Sequence, residues 1–83
     1  MSDIYTSTLS AGGDSGNLDV TAATPHGINV TGKAVVEVQH DGGWKTMLEL
    51  GEGASDIIFP THSTIRIRDL SGAANAVSLH DSN

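Results

Sequence analysis

The sequence predicts an all-β fold, a small antiparallel β-sandwich or barrel of about six to eight short strands. Three observations carry this. From Asn17 onward apolar residues recur with period two. Clusters of Gly, Pro, Asn and Ser interrupt those runs roughly every ten residues. And nowhere do apolar positions follow helical spacing behind a capping residue.

Taken in order, residues 1–16 form an expected extended N-terminal arm, rich in Ser, Thr, Gly and Asp, with isolated Ile4, Tyr5 and Leu9 placed to pack on the domain or on an adjacent subunit. Residues 17–83 form a single β-sandwich domain. Leu18 and Val20 flank Asp19, and Ile28 and Val30 flank Asn29. Ala34, Val36 and Val38 alternate with Val35, Glu37 and Gln39; Trp44, Thr46, Leu48 and Leu50 alternate with Lys45, Met47 and Glu49. Side chains of a strand point to opposite faces in turn, so each run has one apolar and one mainly polar face. On that alternation Trp44 shares a core with Leu48, Val36 and Val38. The runs DIIF (56–59), TIRIRDL (64–70) and AVSLH (76–80) complete the set, with Ile65 and Ile67 inward and Arg66 and Arg68 outward. The string between Val36 and Leu50 reads as a hairpin, in which Asp41, Gly42 and Gly43 make the tight connection and glycine supplies the positive φ that such turns require.

Composition narrows the function. A chain of 83 residues makes one domain and buries only about 60–65% of the surface its unfolded chain exposes. Three aromatics (Tyr5, Trp44, Phe59) and no cysteine are available to reinforce so small a core, which makes oligomerisation the expected compensation. Ten acidic against four basic side chains leave a net charge of −6, which opposes binding to a polyanion, so no nucleic-acid partner is expected. The first residues lack the basic and apolar regions of a signal peptide, and no run approaches the roughly 18–20 apolar residues that cross a bilayer. The chain is therefore expected in a cytoplasm-like compartment, neither secreted by a signal peptide nor associated with a membrane.

The motifs that suggest chemistry fail on context. GDSG (13–16) matches the segment around a protease nucleophile, but no histidine precedes Ser15, and 83 residues do not build the two barrels that such a triad spans. His26, His40, His62 and His80 lack the close pairs that put two metal ligands on one element, and each falls at an expected turn or strand end. The glycine clusters lack the Lys-Ser/Thr of a phosphate loop, and the acidic residues show no calcium-loop spacing. No catalytic residue, cofactor or metal is expected. Arg66 and Arg68 instead suggest a cross-strand charge ladder with Glu37 and Glu49 or, as an interface, contact with an acidic patch on a partner subunit.

The span from about Asn17 to Leu79 resembles small tailed-bacteriophage virion proteins. In those, a strand such as AVVEVQ runs through an Asp-Gly-Gly turn into a Trp-led strand WKTMLEL, and GEGASDIIFP, STIRIRDLSG and ANAVSL follow. The resemblance implies a non-enzymatic structural virion protein, foremost a capsid decoration (cement) protein. It would be a homo-oligomer, with a trimer favoured, contacting a major capsid protein or other virion protein through the β-domain and the N-terminal arm. The expected interface residues are Ile4, Tyr5, Leu9, Arg66, Arg68, Asp41 and Gly42. The alternative is a carbohydrate- or receptor-binding module of a tail fibre, for which only Trp44 and Tyr5 could stack on a sugar.

Overall fold

A computed structural model describes residues 2–20, 25–58 and 63–81. They form eight strands: β1 (Ser2–Leu9), β2 (Leu18–Val20), β3 (Pro25–Val30), β4 (Ala34–His40), β5 (Gly43–Leu50), β6 (Gly53–Ile58), β7 (Ser63–Asp69) and β8 (Asn75–Asp81). Two four-stranded antiparallel sheets result, ordered β1-β8-β3-β6 and β2-β7-β4-β5. The pairs β4–β5, β3–β6, β2–β7 and β1–β8 are nested, so the whole chain is one long hairpin wound on itself. That winding is a jelly roll, the closed arrangement of eight strands as two packed sheets. The all-β sandwich expected from the alternation is the fold observed.

At the tip of the wound hairpin lies the β4–β5 turn. His40 pairs with Gly43, and the two residues between them, Asp41 (φ 50°) and Gly42 (φ 78°), both have positive φ. This is the type I′ geometry, whose twist matches that of the strands it joins, and Asp-Gly is among its preferred sequences. Gly43 already belongs to the strand.

The core lies between the sheets and is aliphatic. Ile28, Val30, Val77 and Leu79 face it from the first sheet, and Val20, Ala34, Val36, Leu50, Ile65 and Ile67 from the second. Tyr5 packs at its margin, while Phe59 lies outside the described residues. Every strand from β2 to β8 corresponds to a run read from the sequence.

The N-terminal arm is the main correction. Residues 2–9 pair with β8 from Ser2↔Asp81 to Leu9↔Asn75, and Leu9 is buried in the domain's own core. The polar string had hidden a strand because its inward set, Tyr5, Ser7 and Leu9, contains a serine. In addition, a register shift between Asp3 and Tyr5 leaves Ile4 as a bulged, exposed residue outside that set. Leu9 is thus unavailable to a neighbouring subunit.

The GDSG string also has a structural use. The Gly13 carbonyl accepts from the Asp69 amide (2.8 Å), the Ser15 amide donates to the Ile67 carbonyl (2.9 Å), and the Ile67 amide donates to Ser15 Oγ (2.9 Å). Residues 13–15 therefore extend the β2 edge along β7, with a serine hydroxyl standing in for a backbone acceptor.

Because β1 is integral, removing residues 1–9 is expected to abolish the cooperative thermal transition followed by circular dichroism. Leu9→Ala alone should cost about 2–4 kcal/mol in urea titration. An unchanged melt for the truncated chain would restore the arm.

Candidate functional site

The outer face of the β2-β7-β4-β5 sheet gathers the chain's most distinctive side chains. Alternation puts Val35, Glu37 and Gln39 of β4 on this face, and Arg66 and Arg68 of β7 beside them, through the pairs Glu37↔Arg66 and Val35↔Arg68. On β5 the register slips: Val36 pairs with Leu48, but Glu37 pairs with Thr46, leaving Met47 as an extra residue. A one-residue slip sends every later side chain to the other face. Trp44, which uninterrupted alternation assigns to the core, therefore turns outward and pairs with Gln39. It is half-buried at the surface, with the Arg66 guanidinium carbon 4.5 Å from its ring centroid.

Glu37 holds this cluster together. Arg66 Nε donates to Glu37 Oε1 at 2.7 Å; Arg68 donates through Nε to Oε1 at 3.1 Å and through Nη2 to Oε2 at 3.4 Å. The Glu37 side chain is only 8% exposed, against 23% for Arg66 and 37% for Arg68. Burial pushes the Glu37 carboxyl up, but the hydrogen bonds and charges of the two guanidinium groups outweigh it and hold the group below the usual glutamate range. Asp14 adds a second, longer contact at 3.8 Å from Arg66 Nη1. The expected ladder thus exists in its Glu37 part, and it is intramolecular. Two cations and two carboxylates nearly cancel here, so an acidic patch on a partner is not what this face would attract.

A second cluster closes one end of the sandwich. Asp69 and Asn75 are 2% and 0% exposed, and Asn75 Nδ2 donates to Asp69 Oδ1 at 3.0 Å. The same carboxylate accepts from the amides of Gly12 (2.9 Å), Ser71 (3.0 Å) and Gly72 (3.0 Å), and from Ser71 Oγ. Asn75 Oδ1 accepts from the amides of Thr31 and Gly32 and from Thr31 Oγ1, while Nδ2 also donates to the carbonyls of Gly32 and Lys33. The Ser71 hydroxyl and the Gly12 amide, with smaller help from Asn75, hold the Asp69 carboxyl far below the usual aspartate range despite its burial. Every donor and acceptor of both side chains serves the loops, so this cluster is structural.

The remaining expected site residues are dispersed. Asp41 and Gly42 are exposed at the hairpin tip, where His40 Nε2 lies 3.2 Å from Asp41 Oδ2. Ile4 is exposed on the β1 bulge, and Tyr5 packs against the core. Of the histidines, His26 departs from the expected solvated strand end: it is 1% exposed, on the inward face of β3 opposite Asp81 and Ile57. The His80 ring lies against the bare Cα of Gly27, where any Cβ would collide with its imidazole. His62 lies outside the described residues. Among the described residues, no group of three or more His, Asp or Glu is placed to hold a metal ion. The outer face of the other sheet carries a shallow depression of about 450 Å³ lined by small side chains, including Thr6, Asn29, Ala54, Ala76 and Ser78.

No known protein family matches the chain, and no curated protein does. Solved structures do match its fold. A de novo designed double-stranded β-helix superposes with a TM-score of 0.63 and 21% identity, over 94% of this chain and 96% of that one. The Drosophila melanogaster CENP-C cupin domain gives 0.62 with 16% identity, and CENP-C bound to CAL1 gives 0.61 with 15%. In both, 90% of this chain is covered, but it spans only 56% and 60% of those chains. At these identities the likeness shows the double-stranded β-helix and nothing about function.

The two carboxylate clusters predict an acid-labile fold. Asp69 and Glu37 both have folded values below their unfolded ones, so the unfolded chain binds more protons between the two. Their contribution is present above the unfolded values, about 4, and is lost as pH falls through the folded ones. The urea midpoint should therefore drop below about pH 4. Asp69→Asn, which puts a donor where Gly12 and Gly72 need an acceptor, should lower the midpoint at pH 7 and flatten this acid slope.

Proposed function

We propose that this chain is a non-enzymatic binding module that joins a larger assembly, docking on a protein partner through the outer face of the β2-β7-β4-β5 sheet. The observation that carries this reading is the Trp44–Arg66–Glu37–Arg68 cluster. Tryptophan and arginine are the side chains most enriched among residues that dominate protein–protein affinity. Glu37 already fixes both guanidinium groups, so little further ordering is needed on binding. Jelly rolls recur in viral capsid, lectin and cupin domains, and the resemblance over Asn17–Leu79 favours the first. The partner is then a phage capsid protein and the role that of a decoration protein, with the module assembled on virions in the host cytoplasm. The N-terminal segment, being a core strand, contributes stability to this role rather than reach.

A second reading is favoured by one observation, the outward turn of Trp44, since exposed indoles stack on sugar rings. Here Arg66 covers one face of the ring, so a glycan would meet the other face or displace the guanidinium.

The readings separate on two variants. Trp44→Ala should weaken co-sedimentation with undecorated phage capsids by roughly thirtyfold, a loss of about 2 kcal/mol, with an unaltered circular dichroism spectrum. Arg66→Ala should weaken capsid binding too, whereas uncovering the indole should strengthen the tryptophan fluorescence response to a glycan ligand. Undiminished capsid binding by Trp44→Ala would overturn the docking face.

A further inference from the structure

The four sheet edges are not equally protected. Unpaired edge strands invite pairing with another chain, and proteins blunt them with bulges, short strands or lysine. β1 carries the bulge at Ile4; β2 is three residues long; β5 carries the bulge at Met47, together with Lys45. β6 has no bulge and no lysine, and its one charge is Asp56 on the outward face. It pairs with β3 through six consecutive residues without a register break, β3 is its only strand neighbour among the described residues, and Ile58 at its end is 61% exposed.

We propose that β6 is a self-association edge, pairing antiparallel with β6 of a second copy about a two-fold axis, so that the two four-stranded sheets become one sheet of eight. This goes beyond the docking face, which lies on the other sheet. Side-chain parity sets the register. Residues directly opposite in an antiparallel pair share a face, so only registers that match inward with inward residues keep both cores on the same side of the joined sheet. β6 presents Ser55 and Ile57 inward, opposite Ile28 and His26 of β3, and Ala54 and Asp56 outward. A register centred on Asp56 would set two like charges against each other. The register centred on Ser55 avoids this: Asp56 faces Ala54, Ile57 faces Gly53, and Ile58 comes over the Gly51-Glu52 connection of the second copy. Large residues meet small ones at each step. The strands of this sheet contain no lysine or arginine, so Asp56 has no cation to pair with on either copy, and the register centred on Ser55 is the one that sets it opposite the Ala54 methyl group of the second copy rather than opposite a second carboxylate.

Light scattering of the full chain should give a two-chain mass that dissociates on dilution. Ala54→Asp places a carboxylate opposite Asp56 of the second copy, twice per dimer, and should raise the dissociation constant about tenfold. Ala54→Lys, at the same exposed position, should leave it unchanged or lower it. The chain has no cysteine, so Ser55→Cys supplies one thiol per copy, on the axis, and should form a covalent dimer under mild oxidation. A monomeric or three-chain mass, equal effects of the two Ala54 variants, or no cross-link at Cys-substituted Ser55 would each overturn the proposal.

Discussion

The Asp69 carboxylate and the Asn75 amide form the joint on which the sandwich closes. A jelly roll must carry its chain from sheet to sheet many times, and here four of those crossings, β1 to β2, β3 to β4, β5 to β6 and β7 to β8, lie at one end. Crossing segments leave their backbone amides and carbonyls outside either ladder. Asp69 and Asn75 take up those of three crossings, at Gly12, at Thr31 to Lys33, and at Ser71 and Gly72. A buried carboxylate is costly unless fully hydrogen-bonded, and this one accepts from five donors. Among the described residues, no arginine or lysine forms an ion pair with it. The charge is held by amide and hydroxyl dipoles alone, which is why the carboxyl stays ionised so far below the usual range.

How much of this could be read from the chain divides along one physical line. Period-two alternation reports a strand wherever one face is apolar and the register is unbroken, and β2 to β8 all meet that condition at least in part. β1 fails it twice, through Ser7 on its inward face and through the bulge at Ile4. A surviving signal was its content of Tyr and Thr, which favour a pleated surface. Trp44 fails for a related reason. The bulge at Met47 has no signature in the letters, so alternation carried through it assigns Trp44, Thr46 and Lys45 to the wrong faces; Leu50 is buried as expected, but Leu48, expected in the core, is 36% exposed beside the bulge.

The site divides in the same way. Glu37, Arg66 and Arg68 were legible as outward residues because β4 and β7 alternate without interruption in the stretch where they pair. That Glu37 sits between both arginines follows from β4 and β7 being neighbours, a fact of winding rather than of local pattern. The Asp69–Asn75 joint was invisible for a stronger reason: each residue looks like ordinary turn chemistry at the end of a strand, and the partners that tie it to the other two crossings, Gly12 and Thr31 to Lys33, lie 42 to 57 residues away in the chain. Long-range polar satisfaction leaves no periodic trace.

The wound hairpin also explains why the two outer faces differ. Two of the four cations, Arg66 and Arg68, lie on β7, Lys45 lies on β5, and Lys33 lies in the β3–β4 crossing; the strands of the β1-β8-β3-β6 sheet carry only acidic charges, at Asp3, Asp56 and Asp81. One sheet therefore presents an aromatic ring and arginines fixed by a buried glutamate, and the other presents hydroxyls, methyl groups and the Asp56 carboxylate. A thin aliphatic core with only Tyr5 of the three aromatics packed against it among the described residues limits what either sheet gains from its own interior. What each can gain from outside differs in kind: side-chain contact on the face with Trp44, and main-chain pairing along the edge at β6. These do not compete, because they use opposite sheets, so an assembly that engages both would bury the indole without giving up the ladder.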